Sequence, residues 1–326
     1  MSQKDPSYIL VTGGAGYIGS YVNRKLHERG YQTVVLDNLS TGHKEAVTHG
    51  IFLEGDLQNS SLLEHIFTRF PIKAVMHFAG TLSVGESFED PLKYYKNNVL
   101  ATICLLEAMQ KHKTSFLVFS SSASIFGTPQ TELIAEDHPQ HPLSPYGRSK
   151  AMIEQILQDM DTAYGLKYCS LRYFNVSGGD PHRTYKSYHL LQPHLIPAAL
   201  RALQTPGKAL PLFGTDYDTK DNTVIRDYIH IEDLSLAHLY GLEQLLQTKT
   251  STCYNLGSGQ GTSVKQVLST IEKVTGSCIP ILHQPRRKGD PSSCIANIDK
   301  ASKELQWKPC YSSLEEIILH SLQSTT

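Results

Sequence analysis

The sequence lacks a charge excess of either sign. Across 326 residues, 30 lysines and arginines face 31 aspartates and glutamates. A nucleic-acid surface would need a basic stripe, and neither that nor an acidic tail is visible. Closely spaced cysteines are missing as well. Cys104, Cys169, Cys253, Cys278, Cys294 and Cys310 are never closer than 16 residues, which excludes a CxxC pair or a zinc-ribbon spacing. No metal is expected. Long apolar runs are also absent. After the polar residues 1–6, the run 8–11 is too short for a signal-peptide core or a membrane span. A cytoplasmic chain in a reducing compartment is therefore expected, with no membrane and no nucleic-acid partner. There is no internal repeat and no low-complexity tract. At 40% apolar and 19% charged residues the composition is globular, and the length predicts about two domains.

The first half alternates short apolar runs with helical patterns. Residues 8–12 form an apolar run that stops at glycines. Ile18, Val22 and Leu26 fall at i, i+4 and i+8, which predicts a helix over 17–28, closed by Gly30. Further strands are predicted at 33–36, 51–53, 74–78, 116–119 and 168–171, and helices at 62–70, 91–112 and 146–164. Buried strands alternating with helices predict an α/β fold, a doubly wound (Rossmann) parallel sheet covered on both faces. After Asn175 the pattern breaks into loops at 177–188, 205–207, 214–222, 257–261 and 284–291, with short helices between. This predicts a second, smaller α/β domain. The expected division sets 1–175, with a return segment at about 226–257, against 176–225 and 258–326.

Thr12-Gly-Gly-Ala-Gly-Tyr-Ile-Gly19 lies between the first strand and the first helix. It carries GxGxxG at Gly14, Gly16 and Gly19, and GxxGxxG at Gly13, Gly16 and Gly19. Glycines there permit a tight turn and let a pyrophosphate approach the backbone. The helix start adds free N–H groups and a positive dipole end. Asp37 ends the second strand, 18 residues past Gly19. A carboxylate at that place accepts from a ribose diol and repels a 2′-phosphate. The next basic residues are His43 and Lys44, with no adjacent arginine, so NAD is expected rather than NADP. Asp56 follows the third strand and could meet the adenine amino group. Phe78-Ala79-Gly80 ends the fourth, where small residues leave room beside the sheet edge.

A second cluster is Tyr146-Gly-Arg-Ser-Lys150. On a helix, Tyr146 and Lys150 are i and i+4 and share a face. Tyrosine titrates near pH 10, so bringing it to neutrality takes about 4 kcal/mol. A neighbouring ammonium and a positive nicotinamide both favour the phenolate. Ser120-Ser-Ser-Ala-Ser124 ends the fifth strand, at the sheet edge where ligands of such folds bind.

At these residues the sequence resembles the extended short-chain dehydrogenase/reductase family, in particular its nucleotide-sugar members. The resemblance covers nearly the whole chain. It runs through His77-Phe-Ala-Gly80, Val84-Gly-Glu-Ser87, Pro91-Leu-Lys-Tyr-Tyr-Lys-Asn-Asn98 and Ser144-Pro-Tyr-Gly-Arg-Ser-Lys150. It continues through Leu171-Arg-Tyr-Phe-Asn175, Arg226-Asp-Tyr-Ile-His230, Tyr254-Asn-Leu-Gly257 and Arg286-Arg-Lys-Gly-Asp290. It implies epimerisation of a UDP-sugar at C4, with NAD retained and no net redox change, in a homodimer built on the helices around 91–112 and 146–164. Ser122, Tyr146 and Lys150 would be catalytic. Tyr17, Ile18, Asp37, Asn38, Asp56, Leu57, Phe78, Ala79, Gly80, Asn97 and Phe174 would join the glycine loop, Tyr146 and Lys150 around NAD. Asn175, His194, Leu195, Phe213, Arg226, Arg287, Asp290 and Cys294 would join Ser122 and Tyr146 around the UDP-sugar.

The sequence departs from the pattern at several places. Leu82 stands where some relatives carry a lysine near the cofactor phosphates. Phe126 replaces a tyrosine, His194 an asparagine and Asn297 an aspartate. Cys294 bears on specificity. The resemblance puts it beside the sugar's C2 substituent, where a small side chain admits an N-acetyl group, so UDP-GlcNAc and UDP-GalNAc are expected substrates beside UDP-Glc and UDP-Gal. A nucleotide-sugar 4,6-dehydratase would need an acid/base pair where Ala123 and Ser124 stand. A UDP-glucuronate enzyme would need a cation for the sugar carboxylate. A non-catalytic NAD-sensing protein can lose the tyrosine or lysine, and both are present here.

Overall fold

The computed structural model describes residues 7–185, 194–287 and 289–324. The polar start 1–6, the end of the expected loop at 186–188 and Lys288 lie outside the described residues. The strands are β1 (Tyr8–Thr12), β2 (Gln32–Asp37), β3 (Ile51–Glu54), β4 (Ile72–His77), β5 (Phe116–Ser120), β6 (Lys167–Tyr173), β7 (Asn175–Ser177), β8 (Leu210–Phe213), β9 (Ile225–His230), β10 (Thr252–Leu256), β11 (Gly261–Ser263), β12 (Ile281–Gln284) and β13 (Ser293–Cys294). The helices are α1 (Tyr17–Glu28), α2 (Ser60–Arg69), α3 (Val84–Glu89), α4 (Pro91–Tyr94), α5 (Ala101–Lys111), α6 (Pro145–Tyr164), α7 (Leu195–Gln204), α8 (Ile231–Thr248), α9 (Val264–Thr275), α10 (Asp299–Glu304) and α11 (Leu314–Gln323).

Seven strands form one sheet in the order β10-β6-β5-β4-β1-β2-β3, and β1 to β6 run parallel. The chain starts in the middle and winds outward in both directions, the doubly wound arrangement. Ile9, Leu10 and Val11 of β1 and Val34, Val35 and Leu36 of β2 are buried, as unbroken apolar strands covered on both faces must be. Val22 and Leu26 of α1 are fully buried, while Ile18 is half-buried. Leu10, Val34 and Leu36 share a core with Leu63 of α2, Leu105 of α5 and Leu157 of α6.

The expected single helix at 91–112 is instead three pieces. A π-helical turn, Tyr95–Leu100, separates α4 from α5. Each such turn takes in an extra residue and rotates the side chains that follow.

In the second unit β9 is the centre of a small sheet. It pairs parallel with β7 and β13 and antiparallel with β11, while β8 and β12 form a separate parallel pair. Ile196 and Leu200 of α7, Val267 and Ile271 of α9 and Ile317 and Ile318 of α11 build its core. Trp307 is fully buried and its indole N–H donates to the Asp233 carbonyl.

The first unit takes residues up to Ser122, then Ser144–Leu171 and Ser235–Cys253. The second takes Ala123–Leu143, Arg172–Leu234 and the chain from Tyr254. The expected division differs at three places, the smallest being residues 172–175, which fall in the second unit. The segment 123–143 belongs to the second unit because its Ile134 is stitched to Ile295 and Asn297 by backbone bonds, Ile134 N–H to the Ile295 carbonyl at 2.9 Å and Asn297 N–H to the Ile134 carbonyl at 2.9 Å. The return segment shrinks from 226–257 to 235–253 because β9 is the centre of the second unit's own sheet.

Candidate active site

Strand order reverses between β1 and β4, so the chains leaving their ends diverge. The Phe78 and Ala79 N–H groups donate to the Thr12 carbonyl at 2.9 and 3.1 Å, which ties the two strand ends together. Gly13 sits at φ +70°, and a Cβ there would lie 2.5 Å from the Ala79 nitrogen. A Cβ on Gly19 would lie 2.3 Å from the Gly13 carbonyl oxygen. Gly16, the residue before α1, provides no side-chain cap, and the first turn contains no acidic residue. The dipole end of α1 therefore faces no side-chain anion of its own.

Asp37 is buried at the end of β2. Its Oδ2 accepts from the Ala15 N–H at 2.9 Å and its Oδ1 from the Leu39 N–H at 2.9 Å. Each oxygen keeps a second lone pair for a ligand hydroxyl. Burial raises its pKa, and the two backbone donors oppose that rise. Asn38 donates to Asp56 at 2.7 Å, and Asp56 also accepts from the Gln58 N–H at 2.8 Å. A cradle that any Cβ would fill, an uncapped helix start and a carboxylate with spare acceptor capacity fit the pyrophosphate and ribose diol of NAD.

Tyr17, Ile18, Phe78 and Ala79 are half-buried, Gly80 is exposed, and Leu57 is buried in the core of this unit. The Phe78 ring tilts against His238 at 5.0 Å. Asn97, expected at the cofactor, is exposed, whereas Asn98 is buried. Asn98 Oδ1 accepts from the Thr81 N–H at 2.8 Å, and Nδ2 donates to the Thr81 carbonyl at 3.1 Å and to Ser149 Oγ at 2.9 Å. Both asparagines lie on the π turn. Leu82 is 38% exposed and brings no charge.

Ser144 caps α6 by accepting from the Gly147 N–H at 3.0 Å, and Pro145 fills the first helical position. Tyr146 is thereby fixed in the first turn and Lys150 one turn on, both buried. Ser122 follows β5, and its hydroxyl hydrogen-bonds the Tyr146 phenol. The Lys150 ammonium donates to the Ser120 carbonyl at 2.8 Å and lies 4.9 Å over the Phe119 ring. Tyr94 meets Tyr146 edge-on, with ring centroids 6.3 Å apart, and donates to Glu86 at 2.7 Å.

The electrostatics differ from the expectation. Burial raises the Tyr146 pKa, and the bond from Ser122 pulls against it. Lys150, turned onto the Ser120 carbonyl, does not offset that burial. Burial lowers Lys150 itself to about 8, with Glu154 raising it. The chain alone thus keeps Tyr146 a neutral phenol at pH 7, and a further cation is required to favour the phenolate. Glu154, buried on the same helix, was not among the expected site residues. Its position four residues past Lys150 was the available signal.

In the second unit, Arg226 of β9 pairs with Asp290 and donates to the Ile225 and Pro291 carbonyls at 2.7 and 2.8 Å. The expected diphosphate and ribose partners are thus bonded to each other. The Arg287 guanidinium stacks 4.0 Å over Phe213. Cys294 lies in β13 in register with Arg226, and burial pushes its thiol up to about 11. His194 precedes α7 without capping it, and burial pushes its imidazole down to about 4. It is therefore neutral at pH 7. Leu195 opens α7, whose first turn holds no acidic residue. Asn175 bonds the Tyr228 hydroxyl, and Phe174 is buried. Phe126 packs under the Arg172 guanidinium at 5.5 Å, and Asn297 accepts from the Asp299 N–H at 2.9 Å. Among the described residues no cluster of His, Cys, Asp and Glu could hold a metal, and no helix is long and apolar enough to cross a membrane.

Residues 9–257 match the model of the NAD dependent epimerase/dehydratase family. The chain belongs to that family. Among similar proteins, the UDP-glucose 4-epimerase of Halalkalibacterium halodurans is 45% identical over 96% of this chain and 94% of its own length. The NAD complex of the Brucella ovis UDP-glucose 4-epimerase superposes with a TM-score of 0.93 at 42% identity, covering 97% of each chain. The Campylobacter jejuni UDP-Glc/GlcNAc 4-epimerase superposes at 0.84 with 40% identity over 98% of each chain. The family's Rossmann-like sheet and NAD dependence are those of this chain.

Proposed function

We infer that this member of the family interconverts UDP-sugars that differ at C4, with NAD as cofactor. The observation that carries the reading is the Ser122–Tyr146 hydrogen bond beside Lys150, in a chain whose relatives are UDP-glucose 4-epimerases. The first unit holds the cofactor. The glycine loop takes the pyrophosphate and Asp37 the ribose diol. The second unit holds UDP. Arg226 and Arg287 give charge-assisted donors to the diphosphate, and the start of α7 at Leu195 adds backbone N–H groups. Asp290 accepts from ribose hydroxyls, Phe213 packs near uracil, and Asn175 and His194 border the sugar-diphosphate.

When bound, NAD supplies the acceptor and then the donor of hydride at C4, so the sugar passes through a 4-keto state without net redox change. Tyr146 Oη takes the 4-hydroxyl proton and returns it. Ser122 orients that phenol and the sugar hydroxyl. Lys150 holds a cation beside the reacting groups.

Cys294 sets the C2 pocket. Its side chain is small and neutral, and its register with Arg226 keeps it beside the UDP cluster. N-acetylated UDP-sugars are therefore substrates too. Incubation with UDP-Gal, UDP-GalNAc and UDP-GlcA, each followed by product separation, tests both statements. The first two yield C4 epimers and the third does not. Inert UDP-Gal defeats the function, while inert UDP-GalNAc alone defeats the specificity. Cys294→Tyr fills the pocket and lowers UDP-GalNAc turnover by about 100-fold, with UDP-Gal turnover within about threefold of the parent.

The chain works as a homodimer in the cytoplasm. Leu92, Leu100, Ile103, Met152 and Tyr164 are exposed apolar residues on or between α4 and α6, and Ile103, Leu106, Ile156 and Met160 line a shallow groove there. The free cysteines fit a reducing compartment. Sedimentation at micromolar concentration gives twice the chain mass, and Ile103→Glu halves it. A parent sedimenting as one chain rules the dimer out.

A further inference from the structure

Glu154 takes no part in the reaction proposed above, yet it is among the most buried charges in the first unit, at 3% exposed. It lies on α6 one turn beyond Lys150 and two turns beyond Tyr146, so the three share a helix face. Its Oε1 accepts from Ser121 Oγ at 2.5 Å. Ser121 is itself fully buried, and its N–H donates to the Leu171 carbonyl at 2.9 Å. One residue earlier, the Ser120 carbonyl accepts from Lys150 at 2.8 Å. Two successive turns of α6 therefore grip two successive residues at the end of β5. The next residue is Ser122, which bonds Tyr146.

From this geometry we propose that Glu154 is a positioning residue, a buried countercharge that keeps Lys150 an ammonium and, through Ser121, holds Ser122 against Tyr146. The inference rests on the catalytic reading of Ser122, Tyr146 and Lys150. A buried ammonium without a countercharge loses its proton more readily, because desolvation penalises only the charged form. Among the described residues, the charged and titratable surroundings of Lys150 leave Glu154 as its source of negative charge. On its own helix Tyr146 is a neutral phenol in the chain alone. On β4, His77 is buried and pushed down to about 3, its nitrogens engaged by Thr12 at 2.7 Å and Thr102 at 2.8 Å. On β5, Phe119 offers a ring face, and on the π turn Asn98 offers a neutral amide. Glu154 is the group that raises Lys150 against its burial.

The test uses the protein as purified with its nicotinamide cofactor. Lysine is labelled with 13C, and the Lys150 13Cε resonance is assigned by its loss in Lys150→Met and titrated with pH. Glu154→Gln keeps an acceptor for Ser121 and removes the charge. Its Lys150 midpoint moves to lower pH by about one unit or more, a tenfold loss of proton affinity, while Glu154→Asp stays close to the parent. A midpoint unchanged in folded Glu154→Gln overturns the countercharge role. Ser121→Ala separates the second role. It leaves the Lys150 titration in place and lowers kcat for UDP-Gal about tenfold, with KM within twofold. A parental kcat in Ser121→Ala overturns the clamp. The titration reads Glu154 whether or not UDP-Gal is turned over. Failure of the epimerase reading is seen separately, as an inactive parent.

Discussion

Tyr146→Phe loses about 10³-fold in kcat for UDP-Gal, with KM changed by no more than about threefold. The phenol is placed as the proton carrier, and a phenyl ring can neither take nor return a proton. Binding is spared because the ring keeps its edge-on contact with Tyr94. The lost bond to Ser122 costs about 1 kcal/mol of stability, so the variant folds. The pH profile makes the assignment sharper. In the chain alone burial raises the Tyr146 pKa, and Lys150 loses its charge as pH passes about 8. The positive nicotinamide of bound NAD supplies the further cation that brings phenolate formation below this range, so parent activity climbs with pH as the phenolate forms, and falls as the ammonium is lost. In Tyr146→Phe the climbing limb disappears and only the residual plateau remains. A variant with parental kcat, or one that keeps the acidic limb, removes Tyr146 from the chemistry.

That prediction depends on features the sequence displayed unevenly. β1 and α1 are legible to the residue, because an apolar run ending in glycines and a spacing of four leave little choice. The pairing of Tyr146 with Lys150 follows from the same spacing. The π turn at Tyr95–Leu100 does not, since an inserted helical residue leaves no mark in a pattern of apolar positions. Its consequence is local and specific, with Asn98 buried and its neighbour Asn97, the residue expected at the cofactor, left exposed. The allegiance of 123–143 is also hidden. It is decided by backbone bonds from Ile134 to a segment more than 100 residues later. Charge states were the least legible. Spacing placed a cation one turn from a phenol, but only the fold reveals that this ammonium is turned onto the Ser120 carbonyl. Likewise Arg226 and Asp290, named as separate ligand contacts, are partners.

The glycine loop carries the second large effect. Gly19→Ala weakens NAD binding by about 100-fold or more, about 2.7 kcal/mol. The added methyl would stand 2.3 Å from the Gly13 carbonyl oxygen and 2.9 Å from the Gly14 Cα. Both are backbone atoms of the phosphate turn, so no side chain can rotate away. The loop must open or α1 must slide, and either displaces the N–H groups that the pyrophosphate needs. Ala79 is packed against the other side of Gly13, which blocks the opening movement. Gly85→Ala supplies the control. It makes the same chemical change within α3, where a Cβ meets nothing within 4 Å. That substitution leaves NAD binding unaltered and raises stability by about 0.5–1 kcal/mol, because alanine loses less backbone freedom in a helix than glycine. The measurement is NAD released per chain on denaturation, followed by titration of cofactor-free protein with NAD. Parental occupancy in Gly19→Ala, or equal losses in both variants, means the contact of Gly19 with the turn does not shape the cofactor site.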